Sequence, residues 1–151
     1  MSSIVFPSLP GDDLATVNYH FEDIATPDFD PTALTPWIKQ VIAAHGAELV
    51  ALQYIFCSDN YLHRINVDYL DHDTLTDIIT FPYAPPPHIH GDLYISLERV
   101  VENAHDRGIT YYDECCRVMI HGVLHLCGFG DKTVAEAARM RELENAALAL
   151  R

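Results

Sequence analysis

The segment Arg117-Val-Met-Ile-His121-Gly-Val-Leu-His125-Leu-Cys-Gly-Phe-Gly-Asp131 decides how the rest of the chain is read. On a helix that advances about 100° per residue, His121 and His125 point roughly 40° apart, one turn from each other. Two imidazoles so placed can chelate one small cation. Their neighbours Ile120, Val123, Leu124 and Leu126 are apolar, which suits a dry pocket where neutral ring nitrogens act as ligands. Gly128 and Gly130 allow the chain to double back, bringing Asp131 to the same ion. Two nitrogens and one carboxylate oxygen leave a fourth position for water, the layout of a catalytic zinc site. The peptidase pattern HExxH carries a glutamate beside its first histidine to activate water. Gly122 stands at that place, so a peptidase mechanism lacks its usual base.

Glu114 and Arg117 precede His121 by seven and four residues and share its helix face. Arg117 is the candidate to bind a phosphate or to stabilise developing negative charge. Glu114 is the candidate to orient a ligand or to act as a base. A structural Glu–Arg pair is the other reading of the two. A second constellation runs Asn66-Val-Asp-Tyr69, Asp73 and Thr76-Asp77-Ile-Ile-Thr80-Phe-Pro82. Its polar groups lie in apolar surroundings and must find partners, so it reads as a hydrogen-bonding corner. His88 and His90 follow three prolines and read as an exposed loop. Cys57, Cys115, Cys116 and Cys127 form no CxxC pattern and read as reduced, mostly buried thiols outside the metal site.

Working outward, Thr16 to Phe21 and Glu48 to Cys57 alternate as strands. Thr76 to Phe81 is a β-branched strand closed by Pro82, and Gly91 to Ser96 is a fourth. Helices are expected over Pro31 to His45, over Asp59 to Tyr69 behind a Ser58 cap, and from Ser96 to about Asp106. Another should run from a cap at Asp113 to about Cys127, and a last one from a capping box at Thr133 and Glu136 to Leu150. This order argues for an α+β fold, a small mixed β-sheet covered by helices on one side. One domain over residues 1–151 is expected, with residues 1–14 a loose lead-in rich in Pro, Gly and Ser.

The chain has 151 residues, 49% hydrophobic and 21% charged, and a core of that size does not need a metal merely to fold. Its formal charge of −13 disfavours indiscriminate binding to phosphate polymers. No apolar run approaches the roughly 20 residues that span a bilayer. The first residues lack a basic stretch followed by an apolar one. A cytoplasmic protein with no membrane partner is the expectation.

Three segments together resemble the YbeY family of bacterial rRNA maturation factors and endoribonucleases. HGVLHLCGFGDK over residues 121–132 is similar to the family's HGxLHLxGxDH. INVDYLDHDTLTDIITFP over residues 65–82 is similar to LNxxYRxxDxPTDVLSFP, and GDLYIS over residues 91–96 to GDIxIS. The resemblance implies a zincin-like α+β fold with the metal helix packed on the sheet, and one Zn2+ per chain. It implies an endoribonuclease acting on single-stranded RNA, with the small ribosomal subunit as partner, in 16S rRNA 3′-end maturation and ribosome quality control. The alternatives are a ribosome-associated assembly factor with a largely structural metal, and a metal-dependent hydrolase of another substrate. Position by position, His121 and His125 match the first two metal histidines, and Asp131 falls where the family has its third. A register that inserts Gly130 would instead place Lys132, a poor ligand, at that histidine. Leu70 stands where the family usually carries an arginine.

Overall fold

The computed structural model describes residues 15–70 and 76–151, apart from the side chains of Tyr69 and Leu70. The expected lead-in over residues 1–14, Asp73, and the side chains of Tyr69 and Leu70 therefore lie outside the described residues. Strands β1 (Thr16–Phe21), β2 (Glu48–Cys57), β3 (Ile78–Pro82) and β4 (His88–Ser96) form one sheet in the order β1-β2-β4-β3. β1, β2 and β4 are parallel, and β3 runs antiparallel to β4 at the edge. Helices α1 (Thr35–Ala44), α2 (Asp59–Leu70), α3 (Leu97–Arg107), α4 (Tyr111–Leu126) and α5 (Val134–Leu148) complete the architecture. The expected α+β class and mixed sheet are what the chain adopts.

Alternation along the strands makes two faces. Leu52, Tyr54 and Phe56 of β2, with Leu93 and Ile95 of β4, are wholly buried in the main core with α1, α4 and α5. The opposite face is not bare, as a sheet covered on one side would require. Leu62 of α2 packs there with Cys57 and Ile79 as a separate buried cluster. Ser58 caps α2 by accepting from the Tyr61 amide at 3.1 Å, and the amphipathic stripe that follows turns Leu62 onto this second face.

The strand expected over Thr76 to Phe81 is Ile78–Pro82; three other expectations change, each for a local reason. The helix expected over Pro31 to His45 is a 3-10 turn, Pro31–Leu34, followed by α1. Pro36 has no N–H to continue the first turn and instead opens the second helix. The cap of α4 is Thr110 rather than Asp113: the Thr110 hydroxyl accepts from the Asp113 amide at 3.0 Å, leaving Asp113 in the first turn. His88 and His90 are not on an exposed loop. They begin β4, because the strand pairs with the very start of β2, Glu48 opposite His88.

α4 carries the candidate site, and its seat on the sheet is tightly set. The Tyr54 hydroxyl donates to the Met119 carbonyl at 2.9 Å inside the core. The Trp37 ring nitrogen donates to the Ala147 carbonyl at 2.8 Å and ties α1 to α5. Each Ile or Leu buried between these layers contributes about 1.5–3 kcal/mol. Gly122 lies where α4 meets the sheet. A Cβ there would come within 2.7 Å of Leu93 Cδ1 and 2.8 Å of Ile78 Cδ1.

Gly122→Ala therefore sets two effects against each other. Helix propensity gains roughly 1 kcal/mol, while overpacking a filled core loses about 1–3 kcal/mol. Contacts this short from two strands let the second effect win. The urea midpoint should fall with an unchanged m value; a rise would show that the helix has room to lift.

Candidate metal centre

His121 and His125 leave α4 toward a cleft of about 550 Å³. Their Nε2 atoms lie 2.9 Å apart. After α4, Gly128 adopts φ of 104°, a left-handed conformation that favours glycine. The chain turns there and returns Asp131, whose Oδ2 is 3.4 Å from each Nε2. One ligand atom from each of the three residues lies within 4.8 Å of the other two. The acid that the turn brings to the two histidines is Asp131.

The far side of each ring is already committed. His125 Nδ1 meets the Phe129 carbonyl at 2.9 Å, an oxygen that only accepts, so Nδ1 carries the proton. His121 Nδ1 meets Glu144 Oε2 at 2.6 Å, a carboxylate that also accepts from Arg117. With each ring neutral and its proton on Nδ1, bare Nε2 lone pairs would face one another and the Asp131 oxygen. Such a set is repulsive without a cation. A tetrahedral zinc with bonds of about 2.0–2.1 Å places its donors roughly 3.3 Å apart, close to the separations found. The donor set fits a divalent ion of this kind. Burial pulls the His121 imidazole down, but the hydrogen bond and charge of Glu144, with Asp131 and Asp77, outweigh it and leave the pKa raised.

Glu114 and Arg117 do share the helix face of His121, but behind it and not in the cleft. Glu114 is fully buried and Arg117 is 8% exposed. Arg117 grips Glu114 through Nε at 3.0 Å and through NH2 at 2.6 Å, and it reaches Glu144 through NH1 at 2.8 Å. Arg107 of α3 donates to the same Glu114 at 3.2 Å. A guanidinium engaged on both edges is not presented to a phosphate in the cleft. Glu144 was missed in the sequence. Its signal was a carboxylate on the stripe Met140, Leu143 and Ala147, the buried face of α5.

The corner from Asn66 to Pro82 is more than scaffolding. Asn66, Thr76, Asp77, Thr80 and Pro82 line the same cleft as His121, His125 and Asp131. Asp77 accepts from the Asn103 amide at 3.3 Å, and burial raises its carboxyl pKa against the charge of His121. His90 instead stacks edge-on against Tyr83, with ring centroids 5.5 Å apart. The cysteines stay out of the cluster: none is paired, and burial pushes Cys57 up to about 12 and Cys127 up to about 11.

Comparison with known proteins bears directly on this arrangement. The family described as endoribonuclease YbeY matches residues 20–150. The chain belongs to the YbeY family. An endoribonuclease YbeY from Amoebophilus asiaticus is 48% identical, covering 87% of this chain and 90% of its own length. One from Bacteroides thetaiotaomicron is 47% identical over 89% of this chain and 98% of its own. The solution structure of TM1509 from Thermotoga maritima has the same fold, with a TM-score of 0.62 at 24% identity over 89% of this chain and 88% of that one. The three YbeY-like segments fall on α2 to β3, on β4 and on α4, and the first and last of these form walls of the cleft.

The clamp behind His121 gives a pH signature. Burial pushes the Glu114 carboxyl up from 4.5 to about 7, against the charge of Arg107. The folded state then holds a proton that the unfolded chain has released, so stability falls as pH rises through this window. The contribution is whole below about 4.5 and lost above about 7. Urea melts of the wild type and Glu114→Gln, compared from pH 4 to 8, should converge at the acid end and diverge toward the alkaline end. A constant difference would contradict the raised pKa.

Proposed function

We propose that residues 1–151 act as one zinc-dependent endoribonuclease domain that cuts single-stranded RNA. Its cytoplasmic substrate is the 3′ end of small-subunit rRNA, cut during maturation and ribosome quality control. The observation that carries this reading is the convergence of His121, His125 and Asp131 at the floor of the cleft, in a chain whose relatives are named endoribonucleases.

His121, His125 and Asp131 would hold the ion. The chemistry such an ion supplies is Lewis acidity toward a phosphoryl oxygen and toward water. Asp77, in the cleft wall with a raised pKa, is placed to accept or return a proton. Glu114, buried under two guanidinium groups, does not reach that water. Thr76 and Thr80 offer uncharged hydroxyl groups to the sugar and phosphate of an unpaired strand.

Little of the chain's positive charge is available to RNA. Arg99, Arg107, Arg117, Arg139, Arg141 and Arg151 all sit in ion pairs with carboxylates. The net charge of −13 also favours the second reading, an assembly factor whose metal mainly fixes the end of α4. Activity separates the two. Zinc-loaded protein should cut single-stranded RNA in preference to duplex. Chelation, His121→Ala or Asp131→Ala should each lower the rate by at least about 100-fold, the scale on which one well-placed charge-stabilising group contributes. Affinity should depend weakly on salt, with a log–log slope of roughly −1 to −2 against about −0.7 per phosphate neutralised on a single strand. Stoichiometric zinc without cleavage of any RNA would favour the assembly factor.

A further inference from the structure

His121 does not stand alone behind its metal-facing nitrogen. Its Nδ1 contacts Glu144 Oε2 at 2.6 Å. The other oxygen of Glu144 accepts from Arg117 NH1 at 2.8 Å. Arg117 forks onto both oxygens of Glu114 at 3.0 and 2.6 Å, and Arg107 reaches Glu114 from α3 at 3.2 Å. Arg141, one turn before Glu144 on α5, adds a weaker contact at 3.8 Å. Charge alternates in sign along this row, which joins α3, α4 and α5. Glu144 is 2% exposed, and no acceptor other than Glu144 is found for His121 Nδ1 among the described residues.

We propose that Glu144 is the positioning residue of the metal centre, and this rests on the reading of His121 as a ligand. By accepting from Nδ1–H it fixes the His121 tautomer and ring plane, so that the Nε2 lone pair faces His125 and Asp131. Arg117 holds Glu144 in the rotamer that does this. Arg117, expected to meet phosphate, thereby serves the ion from behind. A carboxylate in contact with a ligating imidazole also raises its basicity toward the metal, and loss of such a partner typically lowers affinity about 10–100-fold. His125 has only the Phe129 carbonyl in the equivalent place, so the two histidines are supported unequally.

The test compares wild type, Glu144→Gln and Glu144→Asp as full chains. Zinc affinity is read by competition with a chromophoric chelator, and the tautomer of His121 by imidazole nitrogen NMR on metal-free protein at alkaline pH. Glu144→Gln keeps the size and loses the charge; it should bind zinc at least about 10-fold more weakly. It should also shift His121 from the Nδ1–H form toward a mixture. Glu144→Asp should recover part of both. Should the variants fail to fold, the wild type alone still decides, because a bare Nδ1 on its His121 overturns the proposal. A folded Glu144→Gln protein with unchanged affinity and unchanged tautomer overturns it too. If the wild type binds no divalent metal, the functional reading fails, while the tautomer comparison still judges the role of Glu144.

Discussion

Helix α4 is buried on nearly every side, and Glu114, Arg117, His121 and His125 are polar side chains on it. The rest of the architecture follows from satisfying them. A buried charge without a partner is costly by several kcal/mol, so Glu114 and Arg117 cannot rest on their mutual pairing alone. Arg107 comes in from α3 and Glu144 from α5. Both helices also bury apolar stripes: Leu97, Val100 and Ala104 on α3, and Met140, Leu143 and Ala147 on α5. Hydrophobic packing brings those helices alongside α4, and the ion pairs set where along α4 they stop. The capping box at Thr133 and Glu136 then fixes where α5 begins after the turn that carries Asp131.

The sheet plays the complementary part on the other side of α4. The Tyr54 hydroxyl fixes the height of the helix through the Met119 carbonyl. Gly122 lets it sit against Leu93 and Ile78. β3 belongs to the same sheet through its pairing with β4, so seating α4 also sets the distance from His121 to the wall formed by Asp77, Ile79 and Thr80. Cleft and metal cluster are two consequences of one packing arrangement.

What could be read in the sequence was what is local. His121 and His125 meet because helical spacing requires it, and Asp131 joins them because a left-handed glycine lies between. The strands and capping motifs are visible for the same reason, since each signal lies within a few residues. Glu144 could not be read as a neighbour of His121, because the meeting depends on how α5 docks and the two are 23 residues apart. Arg117 and Glu114 were legible as a pair, but whether they face water or the interior is decided by α3 and α5. The prolines before His88 concealed a strand start, because pairing with the beginning of β2 outweighs local turn preference there. The side on which α2 lies was equally hidden, since amphipathic helices carry no mark of which face of a sheet they will cover.

The chemistry of the cleft follows from the same contacts. A side chain at position 122 would start within 2.9 Å of Leu93 and Ile78, whose Cδ methyls would have to move, and glycine there leaves the helix without a carboxylate beside His121. The acids that border the cleft come from outside α4: Asp131, directed at the histidines, and Asp77, entering from the approach to β3 with its pKa raised by burial. Asp77 and Asp131 thus border one cleft of about 550 Å³. The chain has paired six of its arginines with its own carboxylates, and among the described residues the cleft lining holds no lysine or arginine. Its polarity comes instead from the two histidines, the two acids and the uncharged side chains of Asn66, Thr76 and Thr80, so the same packing that seats α4 decides which charges border the cleft.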